Sequence, residues 1–208
     1  MSTVEICPQC GWTFDTEALR ANSCKKCRSA LLITSVAYLE KFDRPAIQKY
    51  IAHNSEALKR DPEDQDALLS MGLCYLRLGL YELAEKFLGR LLEAHPEAAS
   101  GYYYKAIGSL RGRRPRVATL TVVRAAEQLL LTAITLEPEN GRHDIVLAAI
   151  RHDYYLVNGL RVPDPSPGEL VEGAEGKHLD RNEIAQGLAL ISIPESSPFN
   201  PRTFATQT

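Results

Sequence analysis

Four of the five cysteines in this 208-residue chain fall in two pairs, Cys7-Pro8-Gln9-Cys10 and Cys24-Lys25-Lys26-Cys27, with thirteen residues between them. Two thiols two residues apart can face one point in a tight knuckle while backbone N–H groups of the turn point at the sulfurs. Gly11, directly after the second sulfur, suits the positive φ that such a turn often needs. Two knuckles complete a tetrahedral four-sulfur set with no open position for catalysis, so the ion expected on Cys7, Cys10, Cys24 and Cys27 is a structural Zn2+. A redox dithiol and an iron–sulfur centre are the alternatives; a redox pair belongs beside a βαβ pattern, which the sequence lacks. Around the pairs only Ile6, Trp12, Phe14 and Leu19 offer bulk, too little for a unit of about thirty residues to fold unaided. Zinc-binding free energies on the order of 10 kcal/mol are the right size to make up the difference. Cys74, on an apolar helical stretch, reads as a small buried side chain.

The remaining reactive residue types do not converge. His143-Asp144 and His152-Asp153 are nine residues apart, two and a half helical turns, and so point to opposite sides of one helix. Gly173-Ala174-Glu175-Gly176-Lys177 fails the spacing of a phosphate loop, and no nucleophile elbow or dinucleotide fingerprint occurs. The expectation is a protein that is not an enzyme. The basic stretch Arg111-Gly112-Arg113-Arg114-Pro115-Arg116, with Arg124 beyond it and Lys25, Lys26 and Arg28 near the second knuckle, could touch phosphate, with Arg113, Arg114 and Arg116 as the contacts. The plainer reading is a solvated loop or a mate for the acidic C-terminal stretch, since no aromatic residues interleave the arginines. The whole-chain balance, 24 basic against 26 acidic side chains at 45% hydrophobic residues, describes an ordinary folded chain and gives no argument for nucleic acid.

The elements that must carry these residues are helical. From residue 31 onward apolar residues recur with helical period, and three segments end alike, at Pro62, Pro96 and Pro138. Pro62 and Pro96 are 34 residues apart, and Pro96 and Pro138 are 42 apart, the same period plus eight residues. The middle unit, residues 65–98, carries Leu68, Met71, Gly72 and Tyr75 on a first helix, Gly79 and Tyr81 at the turn, then Ala84, Leu88 and Pro96. In this pattern and period it resembles the tetratricopeptide repeat family. Gly72 and Ala84 are small where two antiparallel helices must cross closely, and Leu68, Tyr75 and Leu88 fill the space beside the crossing. The third unit keeps Ala106, Ala126, Leu130, Ala133 and Pro138 with eight extra residues between its helices, and the first unit matches at Ala57 and Pro62, with Tyr38 where a small residue belongs. Residues 140–160 read as a further amphipathic helix ending at Asn158-Gly159 that caps the array. The paired cysteines resemble zinc ribbons. Together these resemblances imply a mainly α fold: a ribbon at 1–30, a short right-handed helical solenoid of about three helix pairs plus a capping helix at 31–160, and a Pro-rich acidic tail at 161–208.

Such a solenoid implies a binding role, with first helices lining a concave groove. A second apolar stripe, Leu69, Leu73 and Leu76, continues in Tyr103, Ile107 and Leu110 of the third unit and in Leu39 and Phe42 of the first, with Arg77 and Arg111 at its edge. A helix apolar on two faces must be covered on both. The expected cover is another protein, of identity the sequence does not give, or the chain's own run at 188–193, Leu188-Ala189-Leu190-Ile191-Ser192-Ile193. The function expected is that of an adaptor or scaffold, with a nucleic-acid-associated factor using the ribbon and the basic loop as the alternative. The N-terminus lacks a secretory pattern and no apolar stretch reaches membrane-span length, which implies a cytoplasmic protein without membrane contact.

Overall fold

A computed structural model describes residues 4–15 and 23–206. Leu19, among the bulky residues expected in the ribbon, lies outside the described residues, as does the side chain of Phe14. Two short strands, β1 (Val4–Ile6) and β2 (Thr13–Asp15), pair antiparallel with Glu5 opposite Phe14. The rest of the described chain is helical: α1 (Arg44–Arg60), α2 (Gln65–Arg77), α3 (Tyr81–Ala94), α4 (Ala99–Ser109), α5 (Leu120–Leu136), α6 (Arg142–Arg151), α7 (Pro167–Ala174), α8 (Arg181–Leu190) and α9 (Pro201–Thr206). Consecutive helices from α1 to α7 pack on one another in turn, and α8 lies on α6 and α9.

Side-chain caps begin five of these helices where the sequence supplies them. Asp43, Asp64, Thr119, Ser166 and Asp180 each accept a hydrogen bond from the backbone N–H three residues on, satisfying one donor that the first turn leaves open. The middle unit forms as its residues require. A Cβ on Gly72 would lie 2.6 Å from Leu88 Cδ2, so only glycine lets α2 and α3 approach this closely, and Leu68, Ala84 and Leu88 are fully buried at the crossing. Gly79 takes φ +72° in the turn between them. The eight extra residues of the third unit form the α4–α5 connection, with a 3-10 turn at Pro115–Val117.

Two expectations change. The first unit has only one α-helix: where its first helix was expected there is a 3-10 turn, Val36–Leu39. Pro45 sits in the first turn of α1 and Asp43 caps it, which fixes the start of the unit's one α-helix at Arg44. The acidic tail is built into the body as α7, α8 and α9. The expected cap, α6, continues through a π-helical turn (His152–Leu156), and Gly159 beyond it takes φ +67°. Every residue from His143 to Arg151 is buried, because α5 covers one side of α6 while α7 and α8 cover others. No helix among the described residues is long and apolar enough to cross a membrane.

Candidate functional site

The two knuckles bring the four thiols together. Gly11 N–H donates to the Cys7 carbonyl and Arg28 N–H to the Cys24 carbonyl, so each pair closes the same turn. The residue after each second cysteine is left-handed, Gly11 at φ +70° and Arg28 at φ +60°. All four sulfurs lie within 4.8 Å of one another, and the Cys7–Cys27 and Cys10–Cys24 Sγ separations are both 3.7 Å. A tetrahedral ion with metal–sulfur bonds of about 2.3 Å spaces its ligands about 3.8 Å apart, so the cluster is dimensioned to hold a metal ion. Burial pushes the Cys7 thiol up to about 12, against backbone hydrogen bonds from Cys10 and Gln9 that favour its thiolate. Burial also opposes ionisation of Cys27, but hydrogen bonds from the Ser29 hydroxyl and backbone, and then from Cys10 and Cys24, bring it down to about 6. A cation entering the cluster displaces the remaining protons, so its affinity falls as the solution is acidified.

The ribbon is fastened to the body at α1. Gln9 Nε2 donates to the Ala46 carbonyl at 2.9 Å, Lys49 Nζ to the Gln9 carbonyl at 3.2 Å and the Tyr50 hydroxyl to the Ala30 carbonyl at 2.5 Å. Between the second knuckle and the body lies a polar cleft of about 610 Å3, lined among others by Cys27, Arg28, Lys41, Arg142, Asp180 and Asn182.

The residues expected to line an open groove are in the interior. Leu39, Leu69, Leu73, Leu76, Tyr103, Ile107 and Leu110 are all buried, while Phe42 stacks on Tyr50 with ring centroids 5.3 Å apart. Arg77 and Arg111 remain exposed at the edge, Arg111 paired with Glu82 at 3.0 Å. Leu39 lies on a 3-10 turn that packs on α2 and on α8. The cover of α4 is α8 itself: a Cβ on Gly187 would lie 2.5 Å from Tyr103 Oη and 3.3 Å from Ile107 Cδ1. Ile184, Gly187, Leu188 and Ile191 occupy one helical stripe and are buried, as is Ile193. Glu183, also fully buried, accepts from the Tyr104 hydroxyl at 2.5 Å and from the Ala37 N–H at 3.2 Å, joining α8 to α4 and to the 3-10 turn. Arg142 lies over the Tyr103 ring, its guanidinium carbon 4.8 Å from the centroid.

The basic loop is partly turned inward. Arg114 makes a bidentate pair with the buried Asp153, Nη2 to Oδ1 at 2.6 Å and Nε to Oδ2 at 3.0 Å, and the Arg116 N–H donates to the same carboxylate. Arg114 is thus committed to holding the π-helical turn and is not presented to phosphate; Arg113 and Arg116 stay exposed. His143 is buried against Glu137, Nε2 to Oε2 at 3.2 Å, and His152 lies against Phe199.

Two features escaped the sequence reading. The buried pair Arg151–Glu127, Nε to Oε1 at 2.7 Å with the Tyr155 hydroxyl on the second oxygen, left no local pattern because its partners come from α5, α6 and the π turn. Helices α7 and α8 did leave one: Ser166-x-x-Glu169 is a capping box, formed in both directions, and Asp180-x-x-Glu183 precedes the stripe of Ile184, Leu188 and Ile191.

The tetratricopeptide repeat model matches residues 51–107, from within α1 to within α4. The chain therefore carries a tetratricopeptide repeat segment, in a mainly helical body joined to an N-terminal four-cysteine cluster that could hold a metal ion. No curated protein matches the chain.

Proposed function

We propose that the protein is a non-enzymatic interaction adaptor whose ribbon holds a structural Zn2+ and whose concave groove is occupied by its own helix α8. The single observation that carries the adaptor reading is the tetratricopeptide segment at 51–107, a helix-hairpin array that offers surfaces rather than reacting groups. Four thiolates at tetrahedral spacing and no open position support a structural role for zinc.

The groove's occupant is intramolecular. Burying Ile184, Leu188, Ile191 and Ile193 at about 1.5–3 kcal/mol each gives α8 a gross stabilisation on the order of 10 kcal/mol, and Glu183 adds hydrogen bonds that a displaced helix would surrender. Partners therefore engage the outer faces. The experiment is affinity capture from the native cell by the intact chain and by Gly187→Leu, which forces α8 off Tyr103. Both should recover the same protein partners, and elemental analysis of the intact chain should find one zinc per molecule. Partners gained only by Gly187→Leu would make the groove a gated partner site; no protein recovered by either chain would reject the adaptor reading.

A further inference from the structure

The groove being filled, the question is which outer face meets a partner. The α4–α5 connection and the π-helical turn are tied together by the Arg114–Asp153 pair and by reciprocal bonds between Arg116 and Asn158: Arg116 Nε to Asn158 Oδ1 at 3.3 Å, Asn158 Nδ2 to the Arg116 carbonyl at 3.2 Å. On either side of this tie, apolar side chains stand in solvent. Val117 is 68% exposed, Leu156 50% and Leu160 48%, each within two residues of Arg116 or Asn158. Four exposed arginines lie on the same segments or on the cavity beside Tyr155. Arg113 and Arg116 come from the connection, and Arg124 and Arg161 line a neighbouring cavity of about 360 Å3 with Tyr155 and Asp164. None of the four is in a salt bridge with a described residue; of the nearby acids, Asp153 and Glu127 are buried and taken by Arg114 and Arg151, and exposed Asp164 shares the cavity of Arg124 and Arg161.

We propose that this face is a docking surface for an acidic segment of a partner protein that also carries apolar side chains. The proposal rests on the adaptor reading and adds to it the chemistry of the partner. The arginines supply attraction and orientation for carboxylates, and three aliphatic side chains in solvent supply apolar area that a docked segment covers. The face is preorganised, since buried Asp153 fixes both chain segments, so docking costs little ordering entropy. A nucleic acid fits less well. It would satisfy the arginines but leave Val117, Leu156 and Leu160 uncovered, and the tyrosines at this place, Tyr154 and Tyr155, are buried at 8% and 7% exposure, not available for stacking on bases.

The test is selection of peptides from a random displayed library on the full-length protein, with Arg113→Glu, Arg161→Glu and Leu156→Ser chains as comparators, each checked for an unchanged thermal melt. Peptides enriched on the intact chain should combine Asp or Glu with aliphatic residues, and each substitution should weaken them at least tenfold in fluorescence anisotropy. Enriched peptides that lack acidic residues, or that bind all four chains alike, would remove this face while leaving the adaptor reading standing. A twenty-nucleotide single strand that binds more tightly than any selected peptide, is lost with Arg113→Glu and is indifferent to Leu156→Ser would overturn the proposal in favour of a nucleic-acid surface. Enrichment of no peptide at all would overturn both.

Discussion

In the ribbon the described buried cluster consists of Cys7, Cys24 and Leu31, with Cys10 and Trp12 packed beside it, whereas from Ile33 onward one continuous core runs through every helix from α1 to α8. The ribbon's buried side chains are largely thiols of the four-cysteine cluster, which could hold an ion that orders it; the body's are aliphatic and aromatic and need none. The contrast extends to polar groups. Those of the ribbon face a common point where a cation can satisfy them, while the body buries charged residues, Glu127, Arg151, Asp153 and Glu183 among them, each satisfied by a partner from a distant element. If the ribbon's order rests on an ion and the body's does not, each region should fail separately.

The largest effect belongs to the metal. Chelation, or Cys24→Ser, should remove a term on the order of 10 kcal/mol from the ribbon. Amide exchange at 5–13 and 24–31 should rise to near-unfolded rates while the far-ultraviolet helical signal and the melt of the body stay in place. A body that melts with the ribbon would show that the two are one cooperative unit. Next comes the buried pair of the body: Arg151→Met strands Glu127 with only the Tyr155 hydroxyl and should cost about 3–5 kcal/mol, whereas Arg151→Met combined with Glu127→Leu should recover most of it. Equal loss in the single and double variants would mean that packing, not the unpaired charge, is responsible.

Acid offers a third measurement. Burial, followed by the charge of Arg142, holds His143 down to about 4 in the folded chain despite its bond to Glu137, while an unfolded histidine titrates near pH 6.5. Unfolding therefore takes up a proton between these values, so this stabilisation is complete above about pH 6.5 and declines as pH falls toward 4, by up to roughly 3 kcal/mol. His143→Gln should flatten that part of the urea-midpoint profile. The smallest effect is in the second knuckle. Arg28 holds φ +60° where its counterpart in the first knuckle is Gly11, so Arg28→Gly should stabilise the metal-bound ribbon by about 1 kcal/mol, read as slower amide exchange at 24–31; a faster rate would show that the arginine side chain matters more than its backbone strain.

How much of this was legible follows the same division. The convergence of the four cysteines could be read because CxxC spacing is local. The middle repeat could be read because Gly72, Ala84 and Leu88 meet at one crossing within a single period. The second apolar stripe of α2 and α4 could be read as needing cover, but not what covers it, because residues 36–39 and 183–193 come from far away in sequence. The run at 188–193 pointed toward the groove, yet its helix was missed: a Pro-rich, acidic composition masked the stripe of Ile184, Leu188 and Ile191, although the capping residues Ser166 and Asp180 marked the helix starts. The first helix of the first unit is replaced by the 3-10 turn Val36–Leu39, a change that no local residue pattern marks. Long-range pairs such as Arg114–Asp153 lie beyond any local pattern.

The most direct test of the self-filled groove is hydrogen exchange on the intact, metal-loaded protein, comparing the amides of 184–191 with those of 103–110. Both segments should exchange slowly and within about tenfold of each other, since a helix seated on Tyr103 and Ile107 opens only when the core does. Exchange at 184–191 several hundredfold faster than at 103–110 would mean that α8 leaves the groove freely, and would contradict the self-filled groove.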